Sequence, residues 1–386
     1  MQASQRTSLE KLALAVLLLV ACGDEAEVAP PVIDAGTDAG QDAGHDAGAA
    51  QVTPAPEDAP WEQLSDWHLF EDIAAQTPSD RVLPYTVNSQ LYADEADKRR
   101  FMWIPEGTRI EYASDSAWRF PVGTILVKTF LYAHPIVDGE TSDEPRLLET
   151  RLLVRGEQAW RAHTYAYENG NTDARRIVAG KRIELSFVDD AGEEHDNRYA
   201  VPNTNQCGEC HGKEDRLETL GGTTRQLNRT APDSDVNQIE RLIELGWLEG
   251  AEAEDDRQAL VDPFGSAPVV ERMRAYTDAN CGHCHNEDDE AGDDGSGLWL
   301  RYDLTDPETA ARASLGICKM PQSAGGATCG NMLDVVPGMA DESIMICRME
   351  SEEPKVRMPP VGRNLLDERG LALIREWIES LDGTCN

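Results

Sequence analysis

Two pentapeptides in the second half of the chain have residue types and a spacing that can support redox chemistry. Residues 207–211 read Cys-Gly-Glu-Cys-His, and residues 281–285 read Cys-Gly-His-Cys-His. Two thiols three positions apart can form thioethers with the two vinyl groups of one porphyrin edge, and the adjacent histidine then lies under the iron. This spacing is typical of c-type haem attachment. The sequence therefore predicts two covalently bound haem c groups.

The two motifs define the expected site residues. Haem thioethers are expected at Cys207, Cys210, Cys281 and Cys284, and iron ligation at His211 and His285. A zinc ribbon is an alternative use of two Cys-x-x-Cys pairs, but its pairs usually lie about 15–20 residues apart. Here Cys210 and Cys281 are 71 positions apart (281 − 210). A dithiol redox motif is a second alternative, and it requires no histidine after either pair.

Two helices are expected to flank the second motif. Apolar residues at helical spacing predict a helix over residues 268–280, which leads directly into Cys281. A second amphipathic pattern covers residues 370–381 and ends at Gly383. This arrangement resembles class I cytochrome c, in which the N- and C-terminal helices cross beside the haem.

The resemblance implies a distal iron ligand in the chain between these helices. Met358 lies there, and the prolines at 359 and 360 restrict its loop. A thioether ligand raises the reduction potential relative to a second histidine. The competing methionines are Met320, Met332, Met339, Met345 and Met349. The last two are expected to pack on a helix face.

The first motif has different surroundings. Residues 198–206 read as a strand end and an Asn-rich turn, and no methionine occurs between His211 and Met273. The sixth iron position is therefore open, or is filled by Met273 or by a histidine of the preceding domain. Residues 236–248 are the one good helical pattern in this segment. We expect the segment to dock against a neighbouring domain.

The other cysteines fit an exported chain. Of nine cysteines, four belong to the motifs and Cys22 follows an apolar run, which leaves Cys318, Cys329, Cys347 and Cys385. An even remainder in an exported protein implies two disulfides, with three possible pairings. The expected pairs are Cys318–Cys329, which closes a Gly-rich loop, and Cys347–Cys385, which ties the final turn to the core.

The N-terminus has the pattern of an export signal. Basic residues precede the apolar residues 12–21, and the Leu-Val-Ala-Cys that ends at Cys22 resembles the lipobox of bacterial lipoproteins. The resemblance implies cleavage after residue 21 and lipidation of Cys22, and a plain secretory signal is the alternative. The expected location is the bacterial cell envelope, lipid-anchored in the outer membrane and facing the periplasm or the cell surface.

The expected fold is a multidomain chain with an N-terminal antiparallel β-rich domain followed by mainly α, cytochrome c-like haem domains. Four segments follow the signal peptide. Residues 22–60 contain an Asp-Ala-Gly repeat and several prolines, which predict a disordered tether. Residues 61–202 are the β-rich domain. Residues 203–270 are the first haem-binding segment, and residues 271–386 are the cytochrome c-like domain.

Alternating apolar residues locate the strands of the β-rich domain. They are expected at residues 124–132, 147–154, 160–167, 182–188 and 195–201. The turn at residues 189–192 is typical of a hairpin, and the strand spacing favours a sandwich or barrel-like domain. Its paired carboxylates and its histidines are interpreted as structural or solvated residues: Glu111, Asp115, His68, His134, His163 and His195.

The charge balance excludes one class of partner. The chain has 35 basic and 71 acidic side chains and a formal net charge of −36. So negative a surface repels the phosphate backbone of nucleic acids. The expected partners are the membrane, through the lipid, and a redox protein of the envelope, for which a basic surface would be complementary.

From residue 61 onward the chain resembles a family of exported bacterial proteins with two haem motifs. The matching stretches are residues 120–124, 201–207, 226–229 and 358–360. Together with the motifs, the resemblance implies a dihaem electron-transfer lipoprotein without catalytic residues. One alternative is a haem enzyme of the peroxidase type with one open-faced haem. The other is an interaction protein whose β domain docks a partner while the haem is structural.

Overall fold

The computed structural model describes residues 51–168, 170–213, 216–287 and 295–385. The expected signal peptide, Cys22 and the tether up to residue 50 lie outside the described residues. Within the described ranges, residues 51–385 belong to one compact unit.

Strands are the main secondary structure before the first Cys-x-x-Cys-His motif in the described chain, and short ones follow it. Their bounds in the first half are β1 (Phe70–Asp72), β2 (Thr77–Pro78), β3 (Leu83–Tyr85), β4 (Asp97–Trp103), β5 (Ile110–Glu111), β6 (Ile125–Tyr132), β7 (Pro135–Val137) and β8 (Glu140–Thr141). The later ones are β9 (Arg146–Arg155), β10 (Trp160–Tyr167), β11 (Ala174–Ile177), β12 (Lys181–Val188), β13 (Glu194–Val201), β14 (Gly212–Lys213), β15 (Arg216–Leu217) and β16 (Leu248–Glu249). The predicted β-rich body is therefore confirmed.

One antiparallel sheet forms the centre of this body. Its order is β14-β15-β10-β9-β6-β4-β3, with β11 also paired to β10. In this register Val127 of β6 lies between Phe101 of β4 and Leu152 of β9, and all three are buried in one apolar cluster. Because neighbouring residues of a strand point to opposite faces, the other face of the sheet carries a different set of side chains. Leu126 and Met102 belong to that face and are buried in a second cluster.

A second sheet contains the predicted hairpin. Its order is β13-β12-β7-β8, and β12 and β13 pair antiparallel along their whole length, from Lys181 opposite Val201 to Val188 opposite Glu194. The turn is stabilised by Asp189, whose side chain accepts from the backbone N–H of Ala191 and Glu193 at 2.9 Å each. Two-stranded sheets β1-β2 and β16-β5 complete the strand pairing of the described residues.

The α-helices of the described chain all follow β13. They are α1 (Cys207–His211), α2 (Thr224–Leu227), α3 (Gln238–Glu244), α4 (Val269–Asn280), α5 (Ile344–Glu350) and α6 (Glu368–Ser380). The helices α4 and α6 agree with the predicted segments 268–280 and 370–381. They pack together around Met273, Ile374 and Trp377, which are all buried in one cluster. No described helix is long and apolar enough to cross a membrane.

The helix predicted over residues 236–248 is shorter than expected. Helix α3 ends at Glu244, and Gly246 follows with a φ of 68°. Glycine adopts this left-handed conformation at little cost, so it ends helices readily. Leu248 then pairs in parallel with Ile110 of β5, so the last predicted helical residues belong to a strand.

Candidate functional site

The second motif forms a tight turn at the end of α4. The backbone N–H of Cys281 donates to the carbonyl of Thr277 at 2.8 Å, and the N–H of His285 donates to the carbonyl of Cys281 at 2.9 Å. Residues four apart on a helical turn lie on the same side. The helix therefore delivers the first thiol and the histidine of the motif to one surface.

That surface is part of the wall of a cavity. Cys281, His285 and Met358 all line it, together with apolar side chains such as Leu298, Leu300, Ile344 and Ile374. Ligand sites in proteins typically have mainly apolar walls and a few convergent polar groups. The cavity thus brings together the thiol, the imidazole and the thioether that the sequence assigned to one group.

His285 is held in a form that can bind a metal. Its Nδ1 lies 2.9 Å from the hydroxyl of Ser296. Burial, reinforced by the positive charges of His283, Arg348 and Lys319, lowers the pKa of His285 to about 4. The ring is therefore neutral at pH 7, which ligation requires. A hydrogen bond at Nδ1 fixes the ring orientation and directs Nε2 to the metal position.

The Met358 loop is fastened to α5 by backbone and side-chain hydrogen bonds. The N–H of Met358 donates to the carbonyl of Arg348 at 2.8 Å, and the Arg348 side chain donates back to the carbonyl of Val356 at 2.9 Å. The guanidinium of Arg363 donates to the carbonyls of Met349 and Ser351. The loop is thus anchored at both ends against the helix that forms part of the cavity wall.

The competing methionines divide into two groups. Met320, Met332 and Met339 are exposed, with 65%, 72% and 48% of their surface accessible. Met345 and Met349 pack against the α4–α6 core, as expected, but they also line the cavity beside Met358. The prediction that Met345 and Met349 pack on a helix face was therefore incomplete, because the side of α5 that carries them borders both the core and the cavity.

The first motif has a different support. Asn203 and Gln206 form a reciprocal cap, in which the Gln206 N–H donates to Asn203 Oδ1 at 3.0 Å and the Asn203 N–H donates to Gln206 Oε1 at 3.1 Å. This cap ends the extended chain after β13 and starts a 3₁₀ turn, Thr204–Gln206, which the five-residue helix α1 follows directly. The motif therefore follows a strand and a capped turn, as the sequence indicated, rather than a long helix.

His211 is oriented by the backbone. Its Nδ1 lies 2.8 Å from the carbonyl oxygen of Glu218. A carbonyl can only accept, so Nδ1 carries the proton and donates, which leaves the lone pair on Nε2. Burial lowers the pKa of His211, and the nearby Lys128 and Arg151 act in the same direction. Both motif histidines thus have Nδ1 engaged and Nε2 available.

The two motifs touch each other, although 74 residues separate Cys210 from Cys284 (284 − 210). The Cys284 thiol donates to the carbonyl oxygen of Glu209 at 3.3 Å. Hydrogen bonds from Cys284 and from His283 lower the pKa of the Cys210 thiol to about 4, against the effect of burial. No local sequence pattern predicts this contact, because it depends on how distant segments pack.

A buried ion pair joins the segments that carry the motifs. Arg225 of α2 lies 3.3 Å from Asp278 of α4, and each side chain has only 8% of its surface exposed. Asp278 also accepts from the N–H of Tyr302 at 2.9 Å. Further along α4, the side chain of Asn280 accepts from the N–H of Tyr92 at 2.7 Å. Helix α4 is therefore tied both to the segment that carries the first motif and to the β-rich body.

The expected disulfide pairing was wrong, although all four cysteines form disulfides. The pairs are Cys318–Cys385 and Cys329–Cys347, with Cα–Cα distances of 5.2 and 6.3 Å. The N–H of Cys318 donates to the carbonyl of Val335, which fixes Cys318 away from its own loop. Arg312, close by in the chain, donates to the carbonyl of Asp382, so the C-terminal residues lie near Cys318.

The other polar residues considered from the sequence have structural partners. His195 Nε2 lies 2.8 Å from Asp189 Oδ2, and the ring of His163 lies 6.0 Å from that of Trp67. Glu111 is ion-paired with Arg119. Met273 is buried in the α4–α6 cluster, so the packing of that core holds it.

Among the residues that the structure describes, no three His, Cys, Asp or Glu side chains converge as a metal-binding group. Comparison with known proteins adds no identification. No protein-family pattern, curated protein or solved structure matches this chain.

Proposed function

We propose that the protein is a dihaem c-type cytochrome that transfers electrons in the bacterial cell envelope. The single observation that carries the proposal is the cavity that Cys281, His285 and Met358 line together. Met358 lies 73 positions after His285 (358 − 285) and 77 after Cys281 (358 − 281), so it is the fold that brings the three side chains to one cavity.

The residues present fit a haem. When bound, the group supplies an iron centre that gains and loses one electron. Cys281 and Cys284 would hold it through thioethers, and the neutral ring of His285 would ligate the iron through Nε2. Met358 would supply the distal sulfur, and the apolar wall would keep water from the iron, which favours the reduced state. Cys207, Cys210 and His211 would have the same roles in the first motif.

The contact between the motifs supports electron transfer rather than isolated binding. Cys284 and Glu209 are in hydrogen-bond contact, so two groups attached to these motifs would lie close together. Electron tunnelling falls steeply with the separation of donor and acceptor. Two adjacent haems would therefore exchange electrons readily, and one could serve as the entry point and the other as the exit.

We also propose that residues 271–386 form a cytochrome c-like domain and that the chain belongs with the exported haem-motif proteins it resembles. The support is the position of the motif directly after α4, the packing of α4 against α6, and the methionine loop that precedes α6. A redox protein with a basic surface would be a complementary partner for a chain of net charge −36.

The decisive test is a count of covalent haems. The mass of the wild-type chain should exceed the polypeptide mass by two haem groups, and acid–acetone should leave the colour with the protein. Cys207→Ala and Cys281→Ala should each lower covalent haem by about half. Cys318→Ser, which changes a disulfide cysteine, is the matched control and should retain both haems. Colour that extracts fully, or stoichiometric zinc, would exclude the proposal.

A haem enzyme is the second candidate, favoured by the first motif. The first methionine after His211 in the sequence, Met273, is buried in another core, so an open distal position there would bind small ligands. Carbon monoxide added to the reduced protein separates the two functions. Two unchanged low-spin haems support electron transfer, whereas one haem that binds carbon monoxide supports a catalyst.

We further propose that Cys22, outside the described residues, anchors the chain to the envelope membrane. Two acyl chains hold a protein on a membrane firmly, whereas one does not. Radiolabelled palmitate should label the wild type and not Cys22→Ala, and the variant should become soluble. An unlabelled wild type would refute the anchor and leave the haem proposal intact.

A further inference from the structure

Three cationic side chains form a row across the central sheet. Arg100 of β4 is the direct cross-strand partner of Lys128 of β6, and Lys128 is the direct partner of Arg151 of β9. Directly opposed residues on neighbouring strands have Cβ atoms about 4.5–5.5 Å apart, and like charges there are destabilising. Such a row therefore needs a compensating negative charge. We call Arg100, Lys128 and Arg151 the cation row.

Among the described residues, only one member of the cation row is ion-paired with a carboxylate. Arg151 donates two hydrogen bonds to Glu149, at 2.8 and 2.6 Å, and Glu149 is fully buried. The hydroxyl of Tyr199 donates to the same carboxylate at 2.7 Å. This carboxylate is fully used by the groups around it.

The other two members lack such a partner. Arg100 has only 7% of its surface exposed, yet no hydrogen bond or ion pair joins its side chain to any other described residue. Lys128 contacts the ring of Phe130, 4.8 Å from its ammonium group, and makes no ion pair in the described part of the chain. Burial and the neighbouring cations lower the pKa of Lys128 well below its usual value.

Like charges on directly opposed strand residues are destabilising. A carboxylate bound beside Arg100 and Lys128 would therefore stabilise the pair.

The first motif lies beside the inner end of the row. Helix α1 packs next to β15, which pairs with β10, and β10 pairs with β9. The charges of Lys128 and Arg151 act on His211, and that of Arg151 also acts on Cys207. A group attached to Cys207 and Cys210 would thus lie within reach of the row.

We propose that Arg100 and Lys128 bind carboxylate groups beside the first motif. These carboxylates could come from two sources, and only the first source rests on the proposed dihaem function. The first source is the pair of propionate carboxylates that a haem attached at Cys207 and Cys210 would carry. The second source is a small free dicarboxylate. In either case the guanidinium of Arg100 and the ammonium of Lys128 donate charge-assisted hydrogen bonds to the bound carboxylates.

The test uses three variants of the full-length protein. Arg100→Gln and Lys128→Gln each remove a charge from the row. Arg99→Gln is the matched control, because the neighbouring Arg99 points to the opposite face, where it donates to the carbonyl of Ala75 at 3.0 Å. Intact mass first establishes whether haem is attached at Cys207 and Cys210 in each variant.

Two measurements separate the sources. If the row binds propionates, both row variants lower the midpoint potential of the first haem, leave the second unchanged, and added succinate does not shift the melting temperature. If it binds a free dicarboxylate, succinate raises the melting temperature of the wild type saturably and has no effect on the row variants. The Arg99→Gln control should behave as the wild type in both measurements.

Two results would overturn the proposal. One is unchanged haem potentials together with no succinate effect on the wild type. The other is a melting temperature that is higher in both row variants than in the wild type even at saturating succinate, as expected of cations that no anion compensates. Should intact mass show no haem at Cys207, the haem proposal fails there, and succinate titration of the wild type still tests the row independently of any variant.

Discussion

The two Cys-x-x-Cys-His motifs share a pentapeptide pattern but have different supports. The second follows the 12-residue helix α4 and lines an apolar cavity that also holds Met358. The first occupies a five-residue helix after a capped turn, packs beside a sheet edge and lies near Lys128 and Arg151. The five residues of each motif would set the attachment of the proposed haem, whereas the fold around them would set the environment of its iron.

This difference predicts distinct redox behaviour for the two sites. Methionine ligation in an apolar pocket raises the reduction potential, so we expect the second haem to have the higher potential. The first haem would be tuned by charge, because cations near an iron centre also favour the reduced state. The four predictions that follow test this contrast, from the largest expected effect to the smallest.

The largest effect is expected for the distal ligand of the second site. Met358→Ala should abolish the weak near-infrared sulfur-to-iron band and lower one of the two midpoint potentials, because the iron loses its thioether. The other potential should change little. Near-infrared absorption and a redox titration measure both quantities.

The exposed Met320 provides a matched control for this substitution. Met320→Ala should keep the band and both potentials. If the band survives in Met358→Ala, Met345 or Met349 is the ligand, since both line the same cavity. The equivalent substitution in each of them would then identify which one.

The disulfides lie only in the part of the chain that forms the second site. Chain-entropy arguments give about 4 kcal/mol for the Cys318–Cys385 link and about 3 kcal/mol for the Cys329–Cys347 link, because the first spans 67 residues and the second 18. Replacing each pair by serine should lower the free energy of unfolding in that order. Denaturant titration followed at the haem absorption would measure it, and equal losses would argue against the pairing.

The buried pair between α2 and α4 links the two sites. Asp278→Ala should cost about 3 kcal/mol of stability, because it leaves Arg225 buried without its partner. Asp255→Ala, at an exposed position, is the control and should cost less than about 0.5 kcal/mol. A cost of similar size in both variants would show that the link contributes little.

The smallest effect concerns the sheet that supports the first site. Burial, with Arg176 and Arg161, lowers the pKa of His163 to about 4 from 6.5. Between these pH values the unfolded chain binds a proton that the folded chain excludes, so the free energy of unfolding decreases as pH falls from 6.5 to 4. We expect a loss of roughly 1–2 kcal/mol from this histidine. His163→Gln should flatten that part of the stability profile, and an unchanged slope would contradict it.

The sequence predicted the elements whose patterns are local. Strands β6, β9 and β10 and the β12–β13 hairpin lie where alternating residues placed them, and α4 and α6 lie where the helical periodicity did. Helix α3 was predicted too long, because the pairing of Leu248 with Ile110 depends on a strand more than 130 residues earlier.

Long-range features of the site were not predictable from one sequence. The contact of Cys284 with Glu209, the Arg225–Asp278 pair and the disulfide pairing each join segments whose approach is determined by packing. The cation row was also missed, because Arg100, Lys128 and Arg151 become neighbours only through strand register. One signal was available: Lys128 interrupts the apolar run of β6, whereas Arg100 ends a run of charged residues in β4.

The contact between the two motifs has a consequence for biogenesis. In the folded chain the Cys284 thiol touches the Glu209 backbone, and Cys281 faces an internal cavity. An attachment enzyme needs open access to both thiols of a motif and to the edge of the porphyrin. We therefore expect the thioether bonds to form on the nascent, translocated polypeptide. The last steps of folding would then enclose haem groups that are already attached.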